Sequence, residues 1–268
     1  MNSTLEKTFE IFVRRISLSQ QQIDEARERA EEICRFLSRA DMVQECKMTG
    51  SMARSTAIQE FSDIDVVAVL GRQPPSGATP HSITAGLLKT VKPRYRQAQI
   101  SDNTVRIRFA RGLDVDVIPA IPDFGNPRSG IFKIPSADRE QWDTYDPEER
   151  NQAINRKSAL LGAEFIHLIQ IIKWWSKRNG QPIPSYEIEN IASSAFCSRM
   201  PPITRAIVDF FELAEFSSGI RLKHHVNLIS VARAIGNAAL RCEERGDTRG
   251  ALNHWGSLLG DQFSSVVS

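Results

Sequence analysis

The chain has 268 residues, 41% hydrophobic and 25% charged, with a net charge of +2 and a pI of about 8.4. That is the make-up of one large or two small globular domains with a proper core, and it is too mildly basic to argue for a nucleic-acid coat. The four cysteines, Cys34, Cys46, Cys197 and Cys242, are scattered without a CxxC pair; this argues against zinc or a disulfide framework and for free thiols in a reducing cytosol. Met1 to Glu10 has no apolar signal core, and no segment approaches the uninterrupted apolar length of a membrane span, so a cytoplasmic protein with no membrane partner is expected.

In chain order, the pattern predicts helices over Thr4 to Ile16 and Ser19 to Arg39. A short strand, Val43 to Met48, leads into a Gly50-Ser51 turn, and Ile64 to Leu70 reads as a buried strand. Gln73 to Pro80 is a Pro-, Gly- and Ser-rich loop, followed by a helix over His81 to Thr90. Thr104 to Ala110 alternates as a strand, with Val105, Ile107 and Phe109 opposite Arg106 and Arg108. Leu113 to Ile118 is another, with Asp114 and Asp116 on its polar side; Pro119 to Asp146 is loop-rich. Helices are then expected over Glu148 to Arg178, Tyr186 to Ser198, Thr204 to Phe216, Lys223 to Arg245 and Asn253 to Phe263, with a mobile tail, Asp261 to Ser268. Mixed α/β followed by all-α suggests two lobes with a cleft between them, and either N-terminal helix can cross back onto the second.

Three elements in the first half carry chemistry. Gly50-Ser51 offers a glycine that lets backbone approach a ligand, N–H groups at a helix start and a hydroxyl, a combination suited to phosphate; an ordinary strand-to-helix turn explains it equally. Asp63 and Asp65, at i and i+2 of a strand, point to one side and repel each other unless a cation sits between them. If the strand carrying Asp114-Val115-Asp116 pairs beside the first, one of its acids joins Asp63 and Asp65. Three carboxylates suit two Mg²⁺ ions, and such a pair activates a hydroxyl and stabilises a leaving pyrophosphate. The bland alternative is an amphipathic strand facing water.

In the helical half, Phe165, Leu168, Ile169, Ile172 and Trp175 form an apolar stripe that reads as core. Lys173 lies off that stripe and is placed to reach phosphates across a cleft; Ser185 can cap the next helix and donate to a phosphate; Tyr186 offers a flat face to a base. Taken singly, a solvated lysine and a plain N-cap are the simpler readings.

Gly50-Ser51, eleven intervening residues, Asp63-Ile64-Asp65 and then Asp116-Val117-Ile118-Pro119 resemble the signature of the polymerase β-like nucleotidyltransferases. Trp142-Asp143-Thr144-Tyr145-Asp146-Pro147, Lys173-Trp174-Trp175, Lys177-Arg178-Asn179-Gly180 and Ser185-Tyr186 resemble the branch with cyclic GMP-AMP synthase and oligoadenylate synthase, the cGAS/DncV-like nucleotidyltransferases (CD-NTases). The resemblance runs from about Met48 to Ile191. It implies an α+β fold: a nucleotidyltransferase core of mixed sheet and helices over residues 1–146, a helical lobe over 147–268, and the active site in the cleft between. It implies Asp63, Asp65 and Asp116 as the triad holding two Mg²⁺ or Mn²⁺ ions, Asp116 being preferred to Asp114 by its place before the Val-x-Pro step. Gly50, Ser51, Lys173 and Ser185 would hold the triphosphate, and Tyr186 would stack on a base. The substrates would be nucleoside triphosphates, and the products cyclic di- or trinucleotides that act as antiviral second messengers. The chain lacks a Cys/His insertion and long lysine runs, so stable double-stranded DNA binding is not expected; a monomeric enzyme with basal activity, or one controlled by a regulatory protein partner, is. Asp146 borders a base pocket in relatives; its carboxylate could accept from a base N–H, although Asp146-Pro147 also reads as a helix start. The same triad would serve a linear oligonucleotide synthase, and a silent nucleotide-binding scaffold is the non-enzyme alternative.

Overall fold

The computed structural model of the chain describes residues 3–126, 129–136, 141–217, 219–220 and 222–267. Two compact units emerge: residues 19–55 with 62–153, and residues 1–18, 56–61 and 154–268. The division is thus not a single cut after residue 146. The first helix, α1 (Ser3–Ile16), and residues 56–61 belong with the helical unit.

The sheet unit begins with α2 (Gln20–Leu37), whose start is fixed by a capping box between Ser19 and Gln22. There follow β1 (Val43–Thr49), the one-turn α3 (Gly50–Ala53), β2 (Ile64–Leu70), α4 (Pro80–Val91), β3 (Gln99–Ser101), β4 (Thr104–Ile107), β5 (Val115–Pro122), β6 (Phe132–Pro135) and β7 (Trp142–Tyr145). The sheet order is β1-β2-β5-β4-β3, with β6 added to β5 and β7 to β6. β2 and β5 run parallel, whereas the other pairs are antiparallel. All of β2 but Asp65 is buried, which is why it reads as a near-continuous apolar run instead of an alternating one. Val67, Val69, Ala120 and Phe132 form a small core joined by Ile118, Ile134 and Tyr145. Helix α2 packs on β1 and β2, and α4 on β3, β4 and β5.

The strand expected over Thr104 to Ala110 stops at Ile107, and the one expected over Leu113 to Ile118 starts at Val115 and runs on to Pro122. The segment read as loop-rich holds β6 and β7; its residues 127–128 and 137–140 lie outside the described residues. Four-residue strands show too little alternation to be told from loop.

A second correction concerns the thiols. Cys34 and Cys46 form a disulfide, with Cα atoms 5.1 Å apart. Packing of α2 against the strand that follows it, β1, brings together two cysteines that their spacing keeps apart on paper. Cys197 and Cys242 are free. The argument from free thiols to a reducing compartment therefore falls.

The boundary between the units falls within α5 (Pro147–Leu161). The helical unit continues with α6 (Ala163–Arg178), α7 (Ser185–Ala195), α8 (Ile203–Ala214), α9 (Lys223–Glu244), α10 (Thr248–Leu259) and α11 (Asp261–Val267). The long helix expected to Arg178 is two, because Gly162 adopts φ +86° between them, a conformation that glycine tolerates. The expected apolar stripe of α6 is buried, but so is every residue from Leu168 to Ser176, as befits a helix enclosed on all sides. The tail is not loose: it forms α11, and Phe263 is 0% exposed, with edge contacts to Phe9 and Phe12 of α1. Ser268 lies outside the described residues. Among the described residues no helix is long and apolar enough to cross a membrane.

Candidate active site

The acids of the sequence motif lie in the sheet unit. Parallel pairing sets Asp65 of β2 in register with Asp116 of β5. Asp63 stands two residues before Asp65 and so projects to the same side. On that side the strands continue with Val67 and Val69 beside Ile118 and Ala120, so the carboxylates stand at the end of a small apolar core.

The register extends the row in both directions. Thr49 of β1 pairs with Asp65, and Arg106 of β4 pairs with Asp116. Arg106 Nε donates to Asp116 Oδ1 at 2.8 Å and Nη2 to Asp116 Oδ2 at 2.6 Å; Nη2 also reaches Asp63 Oδ2 at 2.8 Å. The hydrogen bond to Asp116 raises the guanidinium pKa further above its ordinary value, against a smaller opposing effect of burial. Asp116 is 9% exposed, and a carboxylate so placed needs a charged or hydrogen-bonding partner. Asp114 is engaged elsewhere. Its Oδ1 accepts the Phe109 backbone N–H at 3.1 Å, closing the loop between β4 and β5.

The Gly50-Ser51 turn meets the acids directly. Gly50 has φ +71°, and its backbone lies against the Asp65 carboxylate. Thr49, just before it, shares a short hydrogen bond with the Tyr145 hydroxyl of β7. Asp146 acts as the helix start foreseen for it, Oδ1 accepting the Glu149 N–H at 2.9 Å. Thus Gly50, Ser51, Asp63, Asp65, Asp116 and Asp146 all belong to one unit.

Lys173, Ser185 and Tyr186 belong to the helical unit. Lys173 departs from expectation. It is 3% exposed, and Nζ donates to Glu189 Oε1 and Thr56 Oγ1, each at 2.8 Å; Thr56 Oγ1 donates to the same Glu189 oxygen at 2.9 Å. Its position beside the apolar stripe would face water on a surface helix, but α6 is enclosed on that side too. Ser185 is the first residue of α7 and not its cap, which is Pro184. Tyr186 is 47% exposed on the first turn.

Sequence reading misses Arg106, Thr49 and Tyr145. Arg106 is visible there only as one of two arginines on the polar side of a strand. Its role depends on strand order, which the sequence does not print.

The donor set of Asp63, Asp65 and Asp116 is all carboxylate, the chemistry of a site for a hard cation such as Mg²⁺. As the side chains stand, no three His, Cys, Asp or Glu among the described residues are grouped tightly enough to hold an ion, and Arg106 bridges two of the three acids.

The chain belongs to the family defined by the SMODS domain, the Second Messenger Oligonucleotide or Dinucleotide Synthetase domain, whose profile matches residues 3–158. A Bacillus cereus (strain VD146) protein named probable cyclic nucleotide synthase is 23% identical over 203 residues, 66% of this chain and 60% of its own length. Cyclic AMP-AMP-AMP synthase of Escherichia coli (strain MS 115-1) is 26% identical over 152 residues, 53% of this chain and 45% of its own. The chain therefore spans less than two thirds of these curated relatives. Among solved structures, E. coli MS115-1 CdnC with ATP superposes with a TM-score of 0.80 at 17% identity, covering 96% of this chain and 98% of that one. The same protein in a CdnC:HORMA-deltaN complex gives 0.78 at 16% identity, covering 96% and 97%. These likenesses establish the CD-NTase fold expected from the sequence.

Proposed function

We propose that this protein is a nucleotidyltransferase that joins nucleoside triphosphates into a cyclic di- or trinucleotide second messenger, in antiphage signalling. The observation that carries the reading is the register of Asp65 with Asp116, with Asp63 on the same side and the Gly50-Ser51 turn against Asp65.

In each transfer a ribose hydroxyl of one nucleotide attacks the α-phosphorus of another. A new P–O bond forms, the bond to the β-phosphate breaks, pyrophosphate leaves and the hydroxyl proton passes to solvent. Asp63, Asp65 and Asp116 would hold two Mg²⁺ or Mn²⁺ ions. When bound, such ions activate the attacking oxygen and offset charge on the leaving pyrophosphate. The turn at Gly50 lets backbone come close to a triphosphate, with the Ser51 hydroxyl as a further donor. Ser185 adds a hydroxyl at the start of α7, and the exposed Tyr186 ring gives a base a face to stack on. Lys173 serves this reading through the buried contacts that join α6, α7 and Thr56, and not by touching phosphate. Asp146 keeps one carboxylate oxygen beyond its cap, and an acceptor there favours a base with an exocyclic amino group, guanine, adenine or cytosine, over uracil, which has none. Activation would come from a regulatory protein partner, in keeping with the HORMA complex of CdnC.

The test is one incubation of the protein with four labelled NTPs and Mg²⁺ or Mn²⁺, followed by phosphatase and separation. A phosphatase-resistant product is expected, absent with Asp63→Asn/Asp65→Asn. Products that all lose their terminal phosphates would refute cyclisation.

A further inference from the structure

We propose that Arg106 is the internal counter-ion of the carboxylate cluster, a positioning residue that holds Asp63 and Asp116 while no divalent cation is bound and is displaced when one binds. The inference rests on the reading of Asp63, Asp65 and Asp116 as cation ligands, and adds to it a residue that sets how readily the site fills.

Four observations lead there. First, the contact is built into the sheet: antiparallel pairing of β4 with β5 puts Arg106 directly opposite Asp116, which is itself beside Asp65. Second, the guanidinium fork covers both oxygens of Asp116, and one of its nitrogens also takes Oδ2 of Asp63. Charge-assisted, two-pronged contacts of this kind are the strong ones. Third, the Asp116 side chain is only 13% exposed and that of Arg106 27%, whereas that of Asp63 is 40% exposed. Water therefore screens the Arg106–Asp116 pair less than a surface pair, and an unpartnered charge at Asp116 would be costly. Fourth, the three acids are not grouped to hold an ion as they stand, and two of them are in contact with the arginine.

The consequence follows from charge. An ionised carboxylate only accepts, and its oxygens offer a limited number of lone pairs. A guanidinium and a divalent cation on the same oxygens repel each other at short range. The cluster therefore has two arrangements, one neutralised by Arg106 and one by the cation. Arg106 stops the acids from repelling each other in the cation-free protein, at a cost in cation affinity.

The experiment is Mn²⁺ titration of the full chain, following the free-ion electron paramagnetic resonance signal, with unfolding temperatures in EDTA and in Mn²⁺. The proteins are wild type, Arg106→Gln, Arg106→Lys and Asp63→Asn/Asp65→Asn. Arg106→Gln is expected to tighten Mn²⁺ binding about tenfold, the scale set by removing one charge-assisted hydrogen bond from the competing arrangement. It should also lower the unfolding temperature in EDTA and enlarge the rise caused by Mn²⁺. Arg106→Lys, a point charge without the fork, is expected to fall between Arg106→Gln and wild type. If Arg106→Gln does not fold in EDTA, Arg106→Lys decides alone: tighter binding than wild type supports the proposal, and equal or weaker binding overturns it. Equal or weaker binding by a folded Arg106→Gln overturns it as well. Mn²⁺ binding that Asp63→Asn/Asp65→Asn leaves unchanged would instead remove the cation-ligand reading underneath.

Discussion

Gly50 lies directly under the carboxylate of Asp65: a Cβ built at position 50 would stand 1.8 Å from Asp65 Oδ2. Two demands meet at this residue. Its φ of +71° disfavours any side chain by about 1–2 kcal/mol, and the clash reaches back to Asp65 Cβ at 2.8 Å, so turning the carboxylate away does not by itself relieve it. Gly50→Ala is therefore expected to keep its far-ultraviolet circular dichroism and lose about 100-fold or more in nucleotide transfer, the scale of a displacement of one ångström at a reacting centre. Activity within twofold of wild type would show that the close approach is not needed.

Lys173 makes a sharper test, because two roles predict different readouts. Paired with Glu189 and Thr56 in the interior, it is a stability residue. Lys173→Met leaves Glu189 as a buried charge without its lysine, and urea unfolding is expected to show a loss of about 3–5 kcal/mol. Lys173→Met/Glu189→Leu should recover much of that loss. A lysine that only touched triphosphate would give an unchanged unfolding midpoint and a raised KM for NTP.

How much of this is legible in the sequence depends on which interactions are local. β2, with Asp63 and Asp65 at its start, can be read to the residue from its apolar run, and the neighbouring strand with Asp116 from its alternation. That the two run side by side and in register is a tertiary fact, and so is the contact of the Asp114 carboxylate with the Phe109 N–H. Lys173 is misread because a helical wheel ranks faces against water, and α6 has no water-facing side from Leu168 to Ser176. The Cys34–Cys46 bond is invisible because it joins a helix to the strand packed on it.

That bond closes a short loop, the two cysteines being 12 residues apart. Loops near that length lose enough unfolded-state freedom on cross-linking to stabilise a fold by roughly 3 kcal/mol. Alkylation of the denatured, non-reduced protein should label only Cys197 and Cys242, and reductant should lower the unfolding temperature. Four labelled thiols without reductant would contradict the bond.

Glu243 gives the pH dependence its sign. It accepts from Trp255 Nε1 and Thr204 Oγ1, yet burial outweighs those bonds and raises its pKa above the ordinary 4.5. The folded state then binds the proton more tightly than the unfolded one. Its contribution to stability is full below pH 4.5 and is lost as pH rises through the raised value. Glu243→Gln, whose Oε1 can accept from Trp255 Nε1 while its Nε2 donates to Thr204 Oγ1, should flatten the stability profile above pH 4.5 and unfold no more readily than wild type at pH 7. An unchanged slope would assign the pH dependence to other groups.

The central claim is ring closure by the Asp63, Asp65 and Asp116 site, and it has a stoichiometric signature. The measurement is the exact mass of the product together with the pyrophosphate released per NTP consumed. Closure predicts a mass equal to a whole number of nucleoside monophosphate residues with no end groups, and one pyrophosphate for every NTP incorporated. A product that retains a 5′-triphosphate, with one pyrophosphate fewer than its number of nucleotides, would contradict it and identify a linear synthase.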